Sequence, residues 1–185
     1  MLLKDKIAIV TGAGSGIGAA SALRFAAEGA AVVAADIRLR KAQETVDAIV
    51  AAGGHATAVE VDVADAASVS AMVDAATATY GGLDVLFNNA GTLRPGSAVD
   101  LSVEDWDLVM GVNVRSVFLG VKYAVPVMAA HGGPVSWWRV VRADGSLPPS
   151  HQDEARQTYL EEGTPLRPSG NVDLRRAFFR PSAPA

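Results

Sequence analysis

Ile7-Ala8-Ile9-Val10-Thr11-Gly12-Ala13-Gly14-Ser15-Gly16-Ile17-Gly18 decides how this chain folds. Its first four residues are an unbroken apolar run closed by a glycine, the pattern of a strand buried on both faces of a sheet. From Ile17 to Ala27 the sequence is alanine-rich and reads as a helix, which Gly29 stops. Glycines 12, 14, 16 and 18 stand at the junction. Without Cβ atoms the backbone turns tightly there, so its N–H groups and the positive end of the helix dipole can approach a diphosphate. A glycine cluster alone is weak evidence. The strand before it and the helix after it supply the context such a loop requires.

Further along, strand and helix signals alternate. Ala31 to Ala35 reads as a second strand ending at Asp36. The helix after it carries Ala42, Val46, Ile49 and Val50 on one face and stops at Gly53-Gly54. Thr57 to Val61 reads as a third strand ending at Asp62, followed by a helix marked by Val69, Met72, Val73 and Ala76. Leu83 to Phe87 is a fourth strand ending at Asn88-Asn89. A long helix then places Trp106, Val109, Met110, Val114, Val117, Phe118 and Val121 at helical spacing, a stripe expected to face the core. Such alternation predicts an α/β fold over residues 1–130: a Rossmann-type doubly wound parallel sheet with right-handed crossovers.

The composition changes beyond residue 130. Seven of the nine prolines and seven of the twelve arginines lie in the last 55 residues, while all four lysines precede them. Only Pro134 to Val141 looks strand-like, and Asp153 to Glu162 reads as a short helix. Residues 131–185 are therefore expected to be a divergent Pro/Arg-rich tail, partly ordered at best, leaving the sheet incomplete on its C-terminal side.

The whole chain has 185 residues, half of them hydrophobic, and a net charge of -4. That balance argues against nucleic-acid partners, because no basic surplus is available for phosphates. With no cysteines, thiolate nucleophiles, thiolate metal sites and disulfides are excluded. No metal site is expected. No uninterrupted apolar run approaches about 18 residues, so no membrane span is expected and a cytoplasmic setting is.

Candidate functional residues cluster at strand ends, where ligands of open α/β sheets bind. Asp36, 18 residues after Gly18, suits a carboxylate that accepts hydrogen bonds from a ribose diol. It would repel a 2′-phosphate, which favours NAD over NADP, and Arg38 softens that preference. Asp62 could bind the adenine amino group with Val63 packing on the ring; capping its own loop serves equally well. The Asn88-Asn89-Ala90-Gly91 amides could tie adjacent strands and hold a ribose. Asn113 lies on the stripe of the long helix, where a core-facing amide must find partners or cost on the order of 1–3 kcal/mol.

Taken together, Thr-Gly-x-x-x-Gly-x-Gly at 11–18, Asp36, Asp62-Val63, Asn88-Asn89-Ala90-Gly91 and Asn113 are similar to the short-chain dehydrogenase/reductase family over roughly residues 4–130. The resemblance implies dinucleotide contacts from Gly12, Ser15, Ile17, Asp36, Asp62, Val63, Asn89, Ala90 and Gly91, with Gly16 and Gly18 completing the loop. It makes Asn113 the helix asparagine that organises a proton-relay water. It further implies NAD-linked interconversion of a small-molecule alcohol and ketone, and self-association through the long helix. In that family a tyrosine transfers the proton, a lysine four residues on lowers its pKa, and a serine orients the substrate oxygen.

The sequence departs from the family at this point. Tyr80, Tyr123 and Tyr159 are followed four residues on by Asp84, Val127 and Gly163, and no lysine follows Lys122. Arg139 and Val140 stand where the strand serines are expected, with Ser136 the nearest hydroxyl. Arg156 is no substitute, because a guanidinium differs in geometry and pKa from an ammonium. Thr164-Pro165-Leu166-Arg167-Pro168-Ser169-Gly170, with Asp173-Leu174, is similar to a Pro-Leu-x-Arg-x-Gly region near the family's C-terminus; an internal deletion and an out-of-frame tail account for it equally. Three outcomes remain open: an oxidoreductase impaired in catalysis, a non-catalytic dinucleotide-binding module, or an unstable truncated product.

Overall fold

A computed structural model describes residues 1–132, 152–173 and 176. The chain divides into two units, Met1–Val135 and Ser136–Ala185. The first unit opens with β1 (Ile7–Thr11), α1 (Gly16–Ala27), β2 (Ala31–Asp36), α2 (Leu39–Ala51) and β3 (His55–Glu60). It continues with α3 (Ala66–Tyr80), β4 (Val85–Phe87) and α4 (Val103–Met110). A π-helical turn (Gly111–Arg115) joins α4 to α5 (Ser116–Gly132).

The four strands form one parallel sheet in the order β3-β2-β1-β4. Chain direction across the sheet reverses beside β1, the switch point at which open α/β sheets bind ligands. Strand side chains alternate between two cores, as a period of two demands. Ile7, Ile9, Val33 and Ala35 pack with α3 residues Val69, Met72 and Val73 and with Leu119 and Ala124 of α5. Ala8, Val10, Val32 and Ala34 pack on the other face with Ala22 of α1 and Val46 and Ile49 of α2. Each fully buried valine or isoleucine stabilises the fold by roughly 1.5–3 kcal/mol.

Two expectations change. The long helix forms, but most of its stripe does not face the core. Trp106, Val114, Val117, Phe118 and Val121 are exposed, Phe118 at 62%, and the π turn shifts the helical register beneath them. Val103–His131 is also long and apolar enough to cross a membrane by length and composition, which a count of uninterrupted apolar residues missed. Asn113, Arg115, Ser116 and Lys122 break the run in sequence without lowering its average enough.

In the second unit, α6 (Gln152–Glu162) is the short helix expected over Asp153 to Glu162. Gly163 ends it at φ +70°. Beyond it the Thr164–Gly170 segment closes a turn through an antiparallel bridge between Leu166 and Val172. The Asp173 N–H donates to Pro165 O, 2.8 Å away. Pro134 to Val141, including Ser136, Arg139 and Val140, lies outside the described residues.

Candidate cofactor site

The carboxyl ends of the strands open into a cavity of about 520 Å³. Its walls place the sequence-predicted residues together: Gly12, Ser15, Gly16, Ile17 and Gly18 from the loop, Asp36 from β2, Asp62 and Val63 beyond β3, and Asn89, Ala90 and Gly91 beyond β4. Thr92, Arg94, Leu108 and Val112, which the sequence reading did not single out, extend the lining. For the first two the available signal was position: Thr92 directly follows Gly91, and Arg94 lies three residues beyond it.

The loop and α1 present an open helix end. Ser15, the N-cap of α1, makes no side-chain cap bond, and no acidic residue occupies the first turn. The N-termini of α3 and α4 are closed instead, by Asp65 accepting from Ser68 N–H and Ser102 accepting from Asp105 N–H. Free first-turn N–H groups at a dipole's positive end suit an anion. At Gly16 (φ +54°) a Cβ would meet nothing within 4 Å. At Gly18 a Cβ would come within 2.1 Å of Gly12 O, so only glycine lets α1 begin this close to the loop. The backbone thus leaves a space for a diphosphate that larger residues would close, and the donors present fit one.

Asp36 is buried and doubly held. The Gly14 N–H donates to its Oδ2 at 2.9 Å, and the Arg38 N–H donates to its Oδ1 at 3.0 Å. The Arg38 guanidinium stands 3.6 Å from the same Oδ1. Asp62 caps its own loop by accepting from Ala64 N–H at 2.9 Å while also lining the cavity. Asn89 ties the sheet: its Nδ2 donates to Thr11 O at 2.9 Å. Thr11, buried and read from sequence only as the first residue of the glycine motif, accepts at Oγ1 from the N–H groups of Asn89 and Ala90, each at 3.0 Å.

Asn113 is exposed rather than turned to the core, and it is not part of the cavity wall. It pairs reciprocally with Thr92, accepting from Thr92 N–H at 2.8 Å and donating to Thr92 O at 2.9 Å. The π turn carries it out of the stripe and against the segment that follows Gly91. Its amide is satisfied, and it fixes a stretch of cavity wall.

Fold and site together define a Rossmann-type α/β domain with a cavity at its strand ends. More narrowly, the chain belongs to the short chain dehydrogenase family, whose model matches residues 6–135. It is 45% identical to a cyclohexanol dehydrogenase of Acinetobacter sp. (strain SE19) over 130 residues, 70% of this chain and 52% of that protein. It is 41% identical to a meso-2,3-butanediol dehydrogenase of Serratia marcescens, over 68% of this chain and 49% of that one. Among solved structures it resembles a Burkholderia phymatum short chain dehydrogenase/reductase in complex with NAD (TM-score 0.68, 40% identity, 70% of this chain and 46% of that one). The chain spans about half the length of the curated relatives it matches. The match ends at residue 135, so the Thr164–Gly170 echo lies outside it.

Proposed function

We propose that this chain is a dinucleotide-binding member of its family, with NAD favoured over NADP, whose hydride chemistry runs at or near background. The observation that carries the reading is the uncapped α1 N-terminus beside a buried Asp36 whose two oxygens are already oriented by backbone donors. The loop and first-turn N–H groups would hold the diphosphate, Asp36 the adenosine ribose, and Val63 with Asp62 the adenine. Bound there, the dinucleotide would supply a hydride acceptor for oxidation of a secondary alcohol, or a donor for reduction of a ketone. Asn113 and Thr92 would brace the wall on the substrate side. What the 185 residues lack is a Tyr-x-x-x-Lys pair to move the proton at the substrate oxygen.

Calorimetric titration tests the binding half. NAD is expected to bind more tightly than NADP, and binding of neither removes the reading. Production of NADH from a panel of secondary alcohols tests the other half. Rates at the protein-free background are expected; robust turnover that Asn113→Ala abolishes overturns the proposed impairment. The exposed stripe on α5 supports self-association as a further part of this proposal.

A further inference from the structure

Thr45 sits in α2, buried, and is not part of the cavity wall. A threonine inside a helix ordinarily returns its hydroxyl to the carbonyl four residues back. Here that carbonyl, Lys41 O, is 3.5 Å from Oγ1, while Ala13 O in the glycine loop is 2.7 Å away. The hydroxyl has one proton to give, and the shorter contact takes it. The Ala13 N–H is engaged as well, donating to Ala35 O at 3.0 Å.

This bond has a consequence one peptide away. The Ala13 carbonyl and the Gly14 N–H belong to the same planar trans peptide and point in opposite directions. With the carbonyl fixed on Thr45, the N–H is aimed at Asp36 Oδ2, which it meets at 2.9 Å. Space around it is tight, since a Cβ on Gly14 would lie 2.6 Å from Lys41 Cβ and 2.8 Å from Asp36 Oδ2. A rotated peptide would strand the Ala13 carbonyl and withdraw one of the two backbone donors that orient the carboxylate.

Resting on the reading of this cavity as a dinucleotide site, we infer that Thr45 is a positioning residue for it: by holding the Ala13–Gly14 peptide, its hydroxyl sets the Asp36 carboxylate that selects an adenosine ribose with its 2′-hydroxyl present. The residue touches no ligand. It acts through one peptide plane and one carboxylate.

The test titrates the full chain with NAD and with its 2′-deoxyadenosine analogue. Wild-type protein is expected to prefer NAD by about tenfold or more, the worth of a hydrogen bond to a charged acceptor. Thr45→Val keeps the shape and removes the donor; its preference is expected to shrink to about two- or threefold, while Thr45→Ser retains the wild-type ratio. A Thr45→Val protein with the wild-type ratio, even one that binds both ligands more weakly, overturns the inference alone. Wild-type protein that binds neither ligand overturns the dinucleotide reading and the inference with it. Amide exchange at Gly14 in the ligand-free chain is a second readout: faster in Thr45→Val and in Thr45→Ala, unchanged in Thr45→Ser. Equal protection in all three counts against the proposed role, and Thr45→Ala serves if the valine variant does not fold.

Discussion

At the carboxyl end of β2, both oxygens of Asp36 are met by N–H donors from the chain itself. Along α5, by contrast, Val117, Phe118, Val121 and Val125 stand exposed. Both regions arise from clear local signals, a glycine loop in one case and an apolar helical period in the other. They differ in where their partners lie in sequence. The Asp36 side of the cavity is assembled from β1 to β3 and the loops after them, all within the family match. The outward face of α5 is left uncovered among the described residues. A cavity wall made of early, sequentially close elements can assemble within half the length of the relatives, whereas the face of α5 finds no cover among the described residues.

The largest effect is expected where the complete region is tightest. Gly18→Ala would put a Cβ 2.1 Å from Gly12 O and 2.6 Å from Asn89 Nδ2. The obstruction is backbone, so the loop must move, and overpacking of this kind should cost about 3 kcal/mol or more. Urea unfolding measures it. A variant with the wild-type midpoint would mean that the loop is as pliable as α5 is exposed, and the contrast would fail.

Next comes a pair of neighbours on α5. Leu119 is 4% exposed and belongs to the core beneath the sheet, whereas Phe118 is 62% exposed. Leu119→Ala should cost about 2–3 kcal/mol by opening a cavity. Phe118→Asp should shift monomer stability by no more than about 0.5 kcal/mol. If a second copy covers this face, Phe118→Asp should also move the sedimentation profile toward monomer. An unchanged profile would leave the stripe without that partner.

A smaller change is expected where the two regions meet. Asn113 of the π turn pairs with Thr92 of the cavity wall through two hydrogen bonds. Both groups are accessible to water once released, so Asn113→Ala should cost only about 1 kcal/mol. Residues 91–94 should exchange their amides faster while those of β1 stay protected, and exchange spread evenly over the first unit would contradict so local a role.

Much of this was legible in the sequence because its signals are short-range. The run Ile7 to Val10, the glycines after it and Asp36 at the next strand end each declare their place within a few residues, and the cavity collects Gly12, Gly16, Gly18 and Asp36. Asn113 was misplaced because periodicity reports which residues share a helix face but not which face is covered, and a π turn leaves no clear mark in composition. Thr45 was invisible for a related reason. Its partner Ala13 O is 32 residues away, and a lone threonine on an amphipathic helix looks like any other. Thr11 was read only as part of the glycine motif, although a hydroxyl at the last position of a strand entering such a loop has backbone around it to bond.

The smallest effect expected at neutral pH lies at the opposite end of the sheet, where the end of the long helix reaches the strands. Asp84 accepts from Lys6 Nζ at 2.8 Å and from the Ile7 N–H at 2.9 Å, and His131 of α5 stands 3.8 Å from its Oδ2. Burial alone would push this carboxyl up. The Lys6 and Ile7 hydrogen bonds, with the charges of Lys6 and His131, outweigh burial and hold it below the ordinary carboxylate range. A group depressed in the folded state binds its proton more readily when unfolded. Its stabilisation is therefore fully present above the ordinary aspartate range and is lost as pH falls through that range toward the lower folded value. Asp84→Asn should lower the urea midpoint slightly at pH 7, where that stabilisation is fully present, and flatten its fall in acid, because the group that titrates has gone. An acid limb as steep in the variant as in the wild type would assign the loss to other carboxylates and remove Asp84 as the charged tie between α5 and the sheet.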